Sequence, residues 1–313
     1  MAAIVNLLGI DVQAGFSDTP QWGPLIRPYL SKHFPQLALD DAAAVRFAED
    51  LFADKLLLPG LNELGVPGAW DDMTRAGVMI DRIGGKISSI MCTLDSHRTI
   101  HIAQSCYWRN SAGEMPPPFT FITHRDVVAG VWTPRNPAWR GHALKYTAEL
   151  ERVGKYLLII WTPHCEIGTP GHNVHPMLRP ALRRWELKYL AAVDYLTKGV
   201  AFGYEHYGAL LAEVIDPADP STMLDAGLVK YFDECDILAI YGEALSHCVL
   251  ATVNQIAEAL GRQHIKKFVL LRDATSPVPA VPNGPDFPAI AEAWVSAMQN
   301  EGMTVTTTTE FLA

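Results

Sequence analysis

Charge is scarce in this chain: Asp, Glu, Lys and Arg make up 19% of 313 residues, and the formal net charge is −9. Lys and Arg never cluster, and a partner with a phosphate backbone needs a basic patch to displace its counterions, so no nucleic acid is expected as a ligand. Long apolar runs are missing too. None reaches the ~18 residues of a membrane-spanning helix, and the opening "MAAIVNLLGIDVQ" lacks a basic stretch and soon meets Asp11. Neither a membrane segment nor a secretory signal is expected, and the expected location is cytoplasmic. Cysteine is limited to Cys92, Cys106, Cys165, Cys235 and Cys248, an odd number without any CxxC, which excludes a disulfide framework or a zinc knuckle. No repeat or low-complexity tract is visible. What is left is an ordinary globular composition, 49% hydrophobic, suited to a small-molecule ligand.

Short apolar, β-branched runs alternate with amphipathic stretches along the chain. The runs are "AIVNLLGID", "ISSIMCTLD", "KYLLIIWTPH", "DILAIYGEA", "KKFVLLRDA" and "MTVTTTTEF"; helical periodicity covers 40–54, 71–84, 179–194, 248–262 and 287–300. Continuous apolar strands alternating with helices predict an α/β fold: three layers, α/β/α, around a mainly parallel, Rossmann-like sheet of about six strands. A single domain over 1–313 is expected, with insertions near 18–39 and 106–145. The second insertion is rich in Pro, Trp and Arg, which suggests a lid over the metal side of the pocket or over a neighbouring subunit's pocket, the alternative being a peripheral insertion that only enlarges the surface.

Ligands of open parallel sheets bind beyond the carboxyl ends of the strands. Asp11, Asp95 with His97, His164, Cys248 and Asp273 all stand at or just after such ends. One aspartate there is ordinarily a turn or cap residue, and one buried cysteine is ordinarily core filler. Five reactive strand ends together are a stronger signal. Cys248 opens a helix with the apolar stripe Val249, Thr252, Val253, Ile256 and Leu260, where free N–H groups favour a thiolate and can hold an oxyanion. Asp11 could serve it as base and Lys198 as cation. "DSH" sends Asp95 and His97 to the same side of an extended segment, and His164 arriving from an adjacent strand end would complete a two-imidazole, one-carboxylate metal set. His101 would be a further ligand or a partner that orients one. In "WTPHCEIGTPGH" the residues alone leave open whether His164 ligates or Cys165 attacks.

These motifs resemble those of the isochorismatase-like cysteine hydrolases, and within them the metal-containing nicotinamidases. "GIDVQAGF" is similar to the segment carrying that family's catalytic Asp, "TKG" to the one carrying its Lys, and "YGEALSHCV" to its G-x-A-T-D-x-C-V turn. "DSHRTIH" and "WTPHCEIGTPG" resemble its metal segments, D-W-H-P-x-x-H and W-P-x-H-C-x-x-G-T-x-G. The resemblance implies a triad of Asp11, Lys198 and Cys248, and a cis Glu243–Ala244 peptide ahead of an oxyanion hole formed by the Ala244 and Cys248 N–H groups. It further implies a zinc, iron or manganese ion, zinc first, on Asp95, His97 and His164, with Cys165 inert. Phe16, Trp161 and Glu243 would face the substrate. The implied reaction is hydrolysis of a small (hetero)aromatic carboxamide such as nicotinamide through a thioester, in a homo-oligomer. Alternatives are another small amide, ureide or vinyl ether as substrate, or a catalytically silent protein with this fold. Ser96, Arg98 and the pair Ser246-His247 depart from the family pattern and bear on the substrate.

Overall fold

The computed structural model describes residues 3–18, 63–154, 157–281 and 284–313. The insertion expected at 18–39, apart from Asp18, and the helix expected at 40–54 lie outside the described residues. The strands are β1 (Val5–Ile10), β2 (Ser89–Asp95), β3 (Trp108–Arg109), β4 (Phe121–Ile122), β5 (Thr133–Pro134), β6 (Leu158–Ile159), β7 (Val193–Lys198), β8 (Ile237–Gly242), β9 (Phe268–Leu271) and β10 (Thr304–Thr306). Six of them form one sheet in the order β10-β9-β8-β1-β2-β7, with every neighbouring pair parallel.

Parallel pairing needs a cover on both faces, and the central strand shows it: all six residues of β1 are buried. Successive side chains of a strand point to opposite faces, so Leu7 joins one core and Leu8 the other. The Leu7 side is closed by helices Ala69–Ile83 and Arg179–Tyr189, through Met73, Ile80, Leu182 and Trp185. The Leu8 side is closed by helix Leu250–Leu260, through Val253 and Ile256, and by helices Ala226–Asp233 and Phe287–Asn300. The sheet is therefore the middle of three layers, as the alternating pattern predicts.

Two expectations need correction. Among the described residues of "KYLLIIWTPH" none enters this sheet; Leu158–Ile159 pairs antiparallel with β4 in a separate two-stranded ribbon. The sixth strand is "VDYLTK", which the sequence pattern assigns in part to the end of a helix. Helix Arg179–Tyr189 stops earlier, because Leu190 adopts a left-handed φ of 53° that no α-helix continues through. As an edge strand, β7 has exposed Asp194 and Tyr195 between buried Val193 and Lys198, so it lacks the continuous apolar run that marks the inner strands.

The stretch 106–145 is also not a lid over this chain's own cleft. It supplies β3, β4, β5 and helix His124–Ala129, and its Trp108, Ile122, Val127 and Ala143 are fully buried in the same core as Leu8 and Ile240. No residue of it lines the cleft described below; Phe119 only props Trp161 edge-on at 5.9 Å between ring centroids.

Candidate active site

Strand order brings together residues far apart in sequence. Asp11 follows β1, Asp95 closes β2 and Lys198 closes β7, and Asp95 is the register partner of Lys198 across the β2–β7 pair. After β8 the chain turns through one π-helical turn, Leu245–Val249, before helix Leu250–Leu260 begins. Cys248 thus sits in the turn that opens the helix rather than in the helix itself.

Lys198 is the hub of this cluster. Its Nζ lies 2.9 Å from Asp11 Oδ2, 3.1 Å from Asp95 Oδ1, 2.8 Å from the His206 carbonyl oxygen and 3.6 Å from Cys248 Sγ. All four side chains, Asp11, Asp95, Lys198 and Cys248, are buried. The Thr93 hydroxyl donates to Asp11 Oδ1 at 2.7 Å, whereas Asp11 Oδ2 accepts no well-aligned hydrogen bond and keeps a lone pair for a proton. Burial pushes the Asp11 carboxyl up, and Lys198 partly offsets this. Burial likewise raises the Cys248 thiol well above its ordinary range, again against the pull of Lys198. Burial disfavours the Lys198 ammonium too, but Asp11 and Asp95 outweigh it and hold the lysine charged. Asp95 behaves differently. His97 and Lys198 overcome the cost of its burial and keep its carboxyl well below the usual carboxylate range. Lys198 therefore lies between one firmly ionised carboxylate, Asp95, and two groups, Asp11 and Cys248, whose charged forms burial disfavours. That arrangement can transfer a proton from sulfur to carboxylate without a net change of buried charge.

Cys165 has none of this. It is buried, its thiol is raised well above the ordinary range by burial first and by the Asp95 and Asp11 charges next, and among the described residues no cation touches its sulfur. Its sulfur fills the space against Gly15.

Asp95 Oδ2 lies 2.9 Å from His97 Nε2 and 3.3 Å from His164 Nε2, and the three ligand atoms are all within 4.8 Å of one another. His164 Nδ1 is engaged with the Thr162 carbonyl oxygen at 2.7 Å, which fixes the ring and leaves Nε2 free to ligate. Two imidazoles and a carboxylate converging in a buried site fit a divalent first-row ion. His164 reaches it from an irregular segment, not from an adjacent strand end as expected: the strand beside β2 is β7. His101 is not a ligand. Its Nε2 pairs with the Tyr204 carbonyl oxygen at 3.0 Å and its Nδ1 accepts the Ala103 N–H at 3.2 Å, while its ring packs on His97 with centroids 4.4 Å apart. Gly199, at φ 76°, closes the floor; a Cβ there would come within 3.0 Å of Asp95 Oδ1. The departures Ser96 and Arg98 point elsewhere, Ser96 Oγ to His172 Nε2 at 2.8 Å and Arg98 Nε to the Val200 carbonyl oxygen at 3.1 Å.

Cys248 and the metal-type triad open on one narrow cleft with about 30 Å³ of free space. Phe16, Trp161, Tyr207 and His247 give it aromatic walls, with the Trp161 Nε1–H donating to Tyr207 Oη at 3.1 Å and the Trp161 and His247 rings perpendicular at 5.3 Å. Burial lowers His247 to about 4, so this wall is uncharged. A wider depression of about 320 Å³ reaches Lys198 and His206 from the other side but touches neither Cys248 nor the metal-type residues, so the chemistry belongs to the narrow cleft. Glu243 is a correction: it does not line the cleft. Its Oε2 turns to the Ser276 N–H at 3.1 Å.

Sequence patterns gave no sign of several participants. The Gln13 side chain clamps the Asp95 backbone, its Nε2 donating to the Asp95 carbonyl at 2.8 Å and its Oε1 accepting the Asp95 N–H at 2.7 Å. Thr93, Glu205, His206 and Tyr207 likewise acquire a role only through strand and loop neighbours. The Glu243–Ala244 peptide is cis, and among the described residues the Ala244 N–H donates to no group.

The three layers and the parallel strand order give this chain an α/β/α fold shared with solved nicotinamidases. Among solved structures, the chain is similar to a nicotinamidase/pyrazinamidase of Acinetobacter baumanii at 19% identity and TM-score 0.55, covering 99% of both chains. It is similar also to the yeast nicotinamidase bound to the inhibitor nicotinaldehyde, at 16% identity and TM-score 0.56, covering 97% of this chain and 100% of that one. No protein-family model and no curated protein matches the sequence. Among the described residues no helix is long and apolar enough to cross a membrane.

Proposed function

We infer that the chain is a cysteine amidohydrolase cleaving a small (hetero)aromatic carboxamide, nicotinamide being the type, to the acid and ammonia. The observation that carries this reading is the Lys198 ammonium in contact with both Asp11 Oδ2 and Cys248 Sγ, with Cys248 lining an aromatic cleft. The amide ring would slot between Phe16, Trp161 and His247. Asp11 takes the thiol proton, sulfur bonds to the carboxamide carbon, and the oxyanion meets the Ala244 and Cys248 N–H groups. The C–N bond then breaks, and the amine leaves as ammonia with the proton from Asp11. Water adds to the thioester, giving its proton to Asp11; the C–S bond breaks, and sulfur recovers that proton as the acid departs. Asp95, His97 and His164 would hold a divalent ion, most simply zinc, which when bound supplies a Lewis-acidic anchor for a ring nitrogen or a water.

A second reading, another amide or a ureide as substrate, draws on Glu205. Its side chain lines the cleft, is almost fully buried, and has an Oε2 without a hydrogen-bond partner. A substrate bearing an extra N–H donor would satisfy it.

The deciding experiment is ammonia release from a panel of nicotinamide, pyrazinamide, aliphatic amides and ureides. Turnover of the heteroaromatic amides is expected, and silence across the whole panel would end the amidase reading. For the ion, one equivalent of zinc, iron or manganese per chain is expected in gently purified protein. His164→Ala should weaken zinc at least by the ~10- to 100-fold that loss of an outlying hydrogen-bond partner costs such sites. Competition with a chromogenic chelator measures this, and unchanged affinity would remove His164 from the ligand set.

A further inference from the structure

Directly before the proposed oxyanion donor stands an acidic residue buried to 1% exposure, Glu243. It belongs to a group of polar side chains lying outside the cleft, against the N-terminal part of helix Ala69–Ile83. Ser276 joins them: its N–H donates to Glu243 Oε2 at 3.1 Å, its hydroxyl donates to Asp72 Oδ2 at 2.6 Å, and its carbonyl oxygen accepts the Leu245 N–H at 2.9 Å. Ser276 therefore grips the residues on both sides of Ala244. Glu243 Oε1 has no hydrogen-bond partner, and its other oxygen and Asp72 Oδ2 are both held by the one residue Ser276, which sets the two carboxyls side by side. The charges nearby do not balance. Arg75 pairs with Asp72 Oδ1 at 2.6 Å but is partly exposed, while Asp72, Glu243 and the neighbouring Asp18 are three acids around that one cation. Asp18 is satisfied by the N–H groups of Gly68 and Trp70, at 2.8 and 2.9 Å.

Two adjoining carboxylates out of water repel each other strongly, and a proton held between them turns repulsion into a hydrogen bond. We propose that Glu243 is a positioning residue whose carboxyl shares a proton with Asp72, and that this proton, together with Ser276, fixes the loop that presents the Ala244 N–H. Burial and the Asp72 charge both push the Glu243 carboxyl well above the ordinary glutamate range, and burial pushes Asp72 up as well, so both shifts favour the protonated form. The catalytic consequence rests on the oxyanion role proposed above; the structural one does not.

Hydrogen exchange of the segment Gly242–Cys248, followed by mass spectrometry across a pH series and corrected for intrinsic exchange, tests this without any substrate. In the wild type, protection should fall by at least ~10-fold on the alkaline side as the shared proton is lost, because both carboxyls then ionise in the dry interior. Glu243→Gln keeps a donor of equal size that cannot ionise, so its protection should stay level; Asp72→Asn should act likewise from the other side. Superimposable pH courses for wild type and both variants overturn the shared proton. A segment that stays equally protected in Glu243→Ala overturns the positioning. Where an amide is turned over, the alkaline fall in kcat/KM should move in Glu243→Gln, and a profile that does not move confines Glu243 to a structural role. Absence of amidase activity refutes the proposed function but leaves the exchange result standing, so the two failures are distinguishable.

Discussion

Replacing Cys248 by alanine is expected to lower ammonia release by about 10⁴-fold or more, the scale on which removal of a covalent nucleophile acts, while Cys165→Ala keeps most of it. The two thiols are alike in burial and differ in company. Cys248 Sγ has a cation at 3.6 Å and stands in the turn that opens helix Leu250–Leu260; Cys165 has neither advantage and packs against Gly15. Both variants are compared by circular dichroism before assay, so that a folding defect is not read as chemistry. Equal losses from the two substitutions would show that the nucleophile is misassigned.

Lys198→Met should be the most damaging substitution for the fold as well as for the reaction. It leaves Asp11 and Asp95 buried without their common cation, and breaking a buried ion pair from one side costs about 3–5 kcal/mol. The pH dependence follows from the directions of the shifts. Asp95 is held well below the usual carboxylate range, so its favourable interactions contribute stability above the unfolded value of 3.8 and lose it as pH falls through the lower folded value. Part of that contribution comes from Lys198, and the variant lacks that part. The deficit relative to wild type should therefore be full at neutral pH and shrink in acid, where protonation relieves the stranded carboxylates. Urea unfolding at several pH values measures it. A deficit that is constant with pH, or under about 1 kcal/mol, the worth of an exposed pair, would mean the cluster is not held as the geometry indicates.

Asp11, Asp95 and Cys248 were legible in the sequence because each ends or directly follows an inner strand with a continuous apolar run, and that run is a local signal. Lys198 was harder, since β7 is an edge strand with exposed positions and reads as the tail of a helix; it stood as a candidate cation on residue type, and the resemblance of "TKG" to a known segment strengthened it. His164 was recognised by motif yet assigned to the wrong element. Glu243 was expected at the substrate, whereas Gly242, at φ 120°, and the turn after it send the side chain toward Ser276 and helix Ala69–Ile83.

What the sequence by itself determined is the alternation of strand and helix, the layered architecture this enforces, and the reactive types waiting at the strand ends. Those features depend on side-chain periods of two and 3.6 residues, which act over a few positions. The tertiary structure alone decided that β2 lies beside β7, that Gln13 clamps Asp95, that Glu205 and Tyr207 reach the cleft, and that 106–145 is part of the core rather than a lid over this chain's own cleft. Each of those contacts joins residues many tens of positions apart or depends on which face of the sheet a loop crosses. They are settled by the burial of whole layers against one another, a property that no short stretch of the chain contains.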